Sequence, residues 1–136
     1  MSAAADIHLS LPAIPSSVTI VRQAIGGLAD ALDWNDDFEA DVKLAASEAC
    51  TNVVVHAYEN GPGPLDVHIW LGSEQLRVAI DDEGDGMSPS LSGRQPSLGI
   101  GLPLMVTLSD RFDLSSREDG STRVQLRFNL DRAGGG

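Results

Sequence analysis

The run Asn60-Gly61-Pro62-Gly63-Pro64 splits the chain into two parts of different periodicity. Prolines alternating with glycines remove backbone donors and add conformational freedom, so neither a helix nor a central strand can cross it. Before the run, apolar residues recur at helical spacing. Val18, Val21, Ile25, Leu28 and Leu32 form one stripe after Pro15, which predicts a helix capped by Ser16 or Ser17 and ending near Leu32. Asp33-Trp34-Asn35-Asp36 interrupts the pattern. A second predicted helix, over residues 36–57, carries Phe38, Val42, Ala45, Ala49 and Val53 toward the core. After the run, alternation by two takes over. Strands are predicted near 65–71 and 75–81, joined at Gly72-Ser73, and near 111–117 and 121–130, joined at Asp119-Gly120. Residues 6–11 alternate as well and read as a short first strand. A third helix, roughly 100–108, is predicted to begin just after Gly99 with Pro103 in its first turn. Few helices beside one mixed, mostly antiparallel sheet make an α/β (α+β) two-layer sandwich with the helices on one face.

A chain of 136 residues is large enough for one domain with a real core, and we expect a single domain over residues 1–136 with its core in about 6–130. The glycine-rich tail, 131–136, is expected to fray. The net charge of −11 and a pI near 4.4 argue against direct binding of nucleic acid, which needs a cationic face. A single bound nucleotide is compatible with that charge, because backbone N–H groups and a metal can meet its phosphates locally. Cys50 is the only cysteine, so no disulfide can form within the chain. No stretch approaches membrane-spanning length and the start lacks a basic region followed by an apolar one. A cytoplasmic protein with no membrane partner is the expectation.

Three blocks carry chemistry. In Ser47-Glu48-Ala49-Cys50-Thr51-Asn52, Glu48 and Asn52 stand one helical turn apart and share a face. A carboxamide oxygen beside phosphates is a reasonable magnesium ligand, and an acid one turn away can take a proton from an attacking hydroxyl. Read alone, the pair is equally what a solvated helix face carries. Asp82-Glu83-Gly84-Asp85-Gly86 follows a strand of buried type. Asp82 can accept a hydrogen bond from an exocyclic amine, and Gly84 and Gly86 let the backbone approach a ring; an ordinary acidic turn has the same residues. Gly99-Ile100-Gly101-Leu102 opens a helix whose N-terminal N–H groups suit phosphates, although a tight loop-to-helix turn would look alike. Between them, the polar stretch from Glu83 to Leu98 has the composition of a binding loop or lid.

In combination the order of these blocks resembles the GHKL ATP-binding superfamily, which includes gyrase, histidine kinases and mismatch-repair ATPases. Glu48…Asn52 looks like its N box, Asp82-Glu83-Gly84-Asp85-Gly86 its first glycine box and Gly99-Ile100-Gly101-Leu102 its second. Gly120-Ser121-Thr122 resembles the late Gly-x-Thr whose hydroxyl helps the aspartate hold adenine. The stretch from Ser47 to Glu59, and Arg94-Gln95-Pro96 in the lid, are similar to bacterial anti-sigma factors that are also serine-protein kinases. The resemblance implies a Bergerat-type sandwich, ATP or ADP with Mg²⁺ as cofactors, and partners of two kinds. These are a sigma factor and an anti-anti-sigma factor of the STAS type, with a homodimer as the assembly. It assigns Glu48 as general base, Asn52 as magnesium ligand and Asp82 with Thr122 as adenine anchors. Gly84, Gly86, Gly99, Gly101 and Leu102 would shape the pocket, and Arg22 on the first helix would contact partners.

The lid is shorter than in some relatives, and Arg94 is its only cation. A nucleotide-gated partner switch without kinase activity is therefore the alternative, since phosphoryl transfer depends on positioning and electrostatic stabilisation. A detached histidine-kinase catalytic domain is a third reading, with the acceptor histidine on a separate chain. His56 reads as a packed or capping imidazole. His8 and His68 show no metal-ligand spacing, Cys50 reads as a small core residue, and Trp34 and Trp70 are too isolated to suggest a stacking platform.

Overall fold

The computed structural model describes residues 4–84 and 98–134, with the backbone alone for residues 98–101. Strand β1 (Ile7–Pro12) leads into helix α1 (Pro15–Leu32) and helix α2 (Asp36–Asn52), which continues as one π-helical turn, Val53–Ala57. Hairpin β2–β3 (Pro64–Leu71, Gln75–Asp82), helix α3 (Leu98–Leu108), hairpin β4–β5 (Arg111–Ser116, Thr122–Asn129) and a 3-10 turn (Leu130–Ala133) complete the described chain. The strands form one sheet in the order β1-β2-β3-β5-β4, antiparallel throughout. An α+β sandwich is thus the observed architecture.

Local chemistry explains where the helices begin and end. Pro15 opens α1 with its preset φ. The expected serine cap does not form: Ile14 holds the cap position, and buried Ser17 instead donates from Oγ to the Pro12 carbonyl at 2.6 Å. A proline start leaves one donor fewer to cap, so the hydroxyl is free to tie the helix to β1. Asp33, at φ 60°, ends α1 in the left-handed region, a conformation that aspartate tolerates better than most residues. Asn35 caps α2 by accepting the Phe38 N–H at 2.7 Å, and Asp36, Asp37 and Glu39 put negative charge on the positive helix end.

The α-helical stretch stops at Asn52, five residues short of the expected end, because the turn widens through Val53-Val54-Val55. Three consecutive β-branched side chains crowd an α-helical turn, and π-type turns recur at functional sites. Helix α3 starts at Leu98 rather than after Gly99, so Gly99 and Gly101 lie inside its first turns and Pro103 sits in its interior. Proline there removes the bond to the carbonyl four residues back, that of Gly99.

The core lies between the sheet and the helices. Leu76, Val78 and Ile80 of β3 and Val124, Leu126 and Phe128 of β5 face Val21 and Ile25 of α1 and Phe38, Val42, Ala45 and Ala49 of α2. Phe38 packs edge-on against Trp34 and Phe128, with ring centroids 5.0 and 6.1 Å apart. Helix α2 packs against both α1 and α3 and is the middle helix of its layer. Leu32, expected on the buried stripe, is exposed, while Ala29 takes its place one turn earlier. The tail is tied down further than composition suggests: Ala133 is buried and its carbonyl accepts the Asn35 N–H at 2.8 Å. Among the described residues, no helix is long and apolar enough to cross a membrane.

Candidate functional site

Asp82 ends the core-facing row of β3, and the antiparallel register sets Thr122 of β5 directly opposite it. Opposed residues in an antiparallel pair share a face, so both side chains continue the row formed by Ile80 and Val124. The apolar row thus terminates in two polar groups. Asp82 is 2% exposed and Thr122 4%. One oxygen of Asp82 accepts the Gly84 N–H at 3.0 Å. Thr122 Oγ1 is buried and has no hydrogen-bond partner among the described residues. Buried polar groups are nearly always paired, because an unmade bond costs about 1–3 kcal/mol. An orphan hydroxyl beside a carboxyl therefore marks a place where something polar belongs.

The charge state of Asp82 follows from its surroundings. Burial pushes its carboxyl above the usual carboxylate range; the Gly84 N–H opposes this, and the neighbouring Asp81 charge adds to it. A donor brought to Asp82 would favour the ionised form. An amine on a planar heterocycle is such a donor, and the Thr122 hydroxyl could bond a second polar atom of the same group.

Gly84 shows why a glycine stands where it does. A Cβ there would lie 2.0 Å from the carbonyl oxygen of Ala57, the last residue of the π-helical turn. Only a residue without a side chain lets the end of β3 press against the end of the α2 segment. Tyr58 fastens the same junction. Its hydroxyl accepts the Glu83 N–H at 2.9 Å and donates in a short bond to the Pro64 carbonyl, while its ring lies against Gly63. Tyr58 was not among the expected site residues. The available signal was an aromatic residue just ahead of the Asn60–Pro64 run, where a ring can pack on glycine.

The helical side of the site is set by α2. On its wheel, Ser47 and Cys50 fall on one flank of the buried stripe, and Glu48 and Asn52 on the other. The Ser47 flank meets α1, where Arg22 donates from a guanidinium nitrogen to Ser47 Oγ at 3.5 Å. Glu48 and Asn52 therefore occupy the flank toward α3, as the middle position of α2 requires. Asn52 is 8% exposed, and Glu48 is half-buried. Asn52 also closes α2 at the point where the turn widens toward Ala57, and Ala57 touches Gly84. The two blocks quoted from the sequence are thereby joined through Ala57 and Gly84.

The remaining expected site residues divide. Leu102 is partly buried and packs on the core beside Met105. Gly99 and Gly101 belong to the backbone of α3, and Gly99, expected just before the helix, lies within its first turn. Gly86 and Arg94 lie outside the described residues. Thr122 owes its place to the turn before it: Gly120 adopts φ 94°, and Asp119 accepts both the N–H and the Oγ–H of Ser121 at 2.9 and 2.7 Å. Cys50 is buried and its thiol is pushed up to about 12 by burial, which removes it from acid–base chemistry. No group of His, Cys, Asp and Glu able to hold a metal occurs among the described residues. The Asn52 carboxamide oxygen could contribute to a magnesium site only together with oxygens from elsewhere, such as those of a bound phosphate group.

Comparison with known proteins bears on the family and the fold. A family model described as histidine kinase-like ATPase domain matches residues 11–128. The chain is 36% identical over 140 residues to the serine-protein kinase RsbW of Bacillus subtilis, covering 93% of this chain and 88% of that protein. It is 33% identical over 147 residues to the serine-protein kinase RsbW of Bacillus velezensis, covering 97% and 92%. Among solved structures, that of the RsbU and RsbW domains of Rv1364c from Mycobacterium tuberculosis aligns with a TM-score of 0.72 at 20% identity, over 90% of this chain and 31% of that one. The SiaB–SiaC complex from Pseudomonas aeruginosa aligns at 0.62 and 18% identity, over 92% and 90%. At such identities the two structures speak for the fold.

Proposed function

The chain belongs to the histidine kinase-like ATPase domain family, and from that premise we propose that it is an ATP-binding anti-sigma factor and serine-protein kinase. It holds a sigma factor in one nucleotide state and phosphorylates a serine of an anti-anti-sigma factor. The observation that carries the reading is the buried pair Asp82 and Thr122, an acceptor and an orphan hydroxyl side by side at the end of an apolar row. Adenine offers an amine to the first and ring nitrogens to the second, and its faces suit the apolar walls. The likeness over nearly the full length to proteins named serine-protein kinase supports the choice of reaction.

In this reading each residue has one task. Asp82 and Thr122 anchor the base, Gly84 and Gly86 admit it, and Gly99, Gly101 and Leu102 line the approach to the phosphates from the start of α3. Asn52 would hold Mg²⁺ through its carboxamide oxygen; bound magnesium neutralises phosphate charge. Glu48 accepts the proton of the incoming serine hydroxyl as the serine oxygen bonds to the γ-phosphorus and ADP leaves. Arg22, exposed on α1 and steadied by Ser47, would meet the protein partners. A homodimer in the cytoplasm is part of the same proposal.

The test mixes the protein with labelled ATP and its antagonist, comparing wild type with Glu48→Ala and Asp82→Ala. We expect phosphoserine on the antagonist with wild type alone, and nucleotide binding as in wild type for Glu48→Ala but weakened for Asp82→Ala. Equal transfer by wild type and Glu48→Ala removes the glutamate from its role. Nucleotide-dependent partner binding with no phosphoserine under any condition would identify a switch without kinase activity.

A further inference from the structure

The outer face of the sheet carries a row of cations that the nucleotide site does not use. Trp70 of β2, Arg77 of β3, Arg127 of β5 and Arg111 of β4 are successive register partners across the sheet. Partners directly opposite share a face, and like charges so placed destabilise an antiparallel pair. Strand spacing sets the three arginines roughly 4.8 Å apart along the row. The chain has 20 acidic residues against 9 basic ones, so carboxylates to neutralise the row are plentiful. They are not used. Arg111 pairs with Asp113 at 3.1 Å, and neighbouring Arg123 makes a two-pronged bridge to Asp81 at 2.7 and 2.8 Å.

The guanidinium groups of Arg77 and Arg127, in the middle of the row, make no hydrogen bond or ion pair among the described residues. The Arg77 guanidinium carbon lies 3.9 Å from the centre of the Trp70 ring, and Arg127 Nε is buried without an acceptor. A depression of about 840 Å³ opens over Trp70, Arg77 and Arg127, with Glu74 and Asp131 also lining it.

We propose that the row Trp70–Arg77–Arg127–Arg111 is a docking site for a helix of a partner protein that carries carboxylates one turn apart. Side chains at i and i+4 on a helix stand about 5–6 Å apart, close to the spacing of the row. A helix laid across the strands therefore brings one carboxylate to each guanidinium. Arginine forks take carboxylates through two parallel N–H bonds, and Arg127 Nε gains the acceptor it lacks. Burial and the charges of Arg127 and Arg123 hold the Arg77 side chain below its usual pKa, and an incoming anion relieves that repulsion. The acids in the depression select against a long polyanion. A phosphate backbone or an anionic membrane would run past the row onto a surface of net charge −11, whereas a helix can turn cations toward Glu74 and Asp131. The site is separate from the nucleotide pocket, on the opposite face of the sheet, and stands whether or not nucleotide binds.

The probe is an alanine-rich helical peptide with glutamate at three successive i, i+4 positions, titrated into the full chain and followed by the arginine Nε–H and Trp70 indole resonances. Loss of charge-assisted hydrogen bonds of about 1.5–3 kcal/mol predicts affinity weakened roughly tenfold to a hundredfold in Arg77→Gln/Arg127→Gln. Arg77→Gln alone should show part of that loss, and Lys43→Gln, on α2, none. The double variant should melt no lower than wild type, because like charges are removed. The proposal is overturned by a peptide that does not bind or by a glutamine version that binds as well. It is equally overturned by a double variant, folded by its spectrum, that binds equally, or by tighter binding at the row of an oligonucleotide or anionic vesicle.

Discussion

Replacing Thr122 by valine should move stability and nucleotide affinity in opposite directions. Threonine and valine have the same shape, both suit a strand, and the swap exchanges a hydroxyl for a methyl. The hydroxyl is in a residue 4% exposed and has no partner among the described residues. An unmade buried hydrogen bond costs about 1–3 kcal/mol. The Thr122→Val variant without nucleotide should therefore unfold later, by about 1 kcal/mol at the lower end of that range. For a domain of this size that is a rise in Tm of roughly 3–6 °C. With nucleotide bound as proposed, the same hydroxyl would gain a partner. Losing one neutral hydrogen bond of about 0.5–1.5 kcal/mol should weaken ATP binding by roughly 2- to 12-fold. Thermal unfolding with and without ATP reads both quantities in one assay, since ligand stabilisation follows RT ln(1 + [L]/Kd). A variant that melts lower without ATP, or that binds ATP as tightly as wild type, refutes the reading of Thr122 as a polar group waiting for a ligand.

Gly84→Ala forces a Cβ to within 2.0 Å of the Ala57 carbonyl, so the end of β3 must move; overpacking of this kind costs about 1–3 kcal/mol, measurable by urea unfolding, and ATP affinity should fall with it. Asp82 is held above its usual range by burial, so the stability that protonation contributes is fully present below the unfolded value of about 3.9 and is lost as pH rises through the folded value. Asp82→Asn should accordingly be more stable than wild type without nucleotide at neutral pH, and the gap should close toward pH 3 in urea melts; a gap that widens on acidification contradicts the assignment. Tyr58→Phe leaves the Glu83 N–H and the Pro64 carbonyl without their hydroxyl partner, and about 1–2 kcal/mol of stability should go, with faster amide exchange at Glu83.

How much of this is readable from the sequence depends on the range of the interaction. The α1 and α2 stripes and the alternating hairpins follow from local periodicity, and Val21, Ile25, Phe38, Val42 and Leu126 are buried accordingly. The widened turn after Asn52 and the start of α3 at Leu98 are not legible, because small shifts in helical pitch leave the apolar pattern unchanged. Asp82 and Thr122 meet only through the β3–β5 register, which no local period specifies; their pairing came from family resemblance. Trp70 looks isolated in sequence, and His8 and His68 far apart. The register nevertheless sets His8 against His68, with ring centroids 4.1 Å apart, and stacks His68 near Trp70. The arginine row has the same origin. Its members lie on three strands, and only cross-strand pairing shows that they form a line.

The central claim is that Asp82 grips the base of a nucleotide whose phosphates reach Asn52. Titration calorimetry of Mg·ATP into wild type and Asp82→Ala addresses it without help from any partner protein. The account predicts saturable binding of one ATP per chain to wild type, weakened about tenfold or more in the variant by loss of a charge-assisted bond of about 1.5–3 kcal/mol. Equal affinity of the two proteins for ATP, or no binding to wild type at millimolar nucleotide, would contradict it.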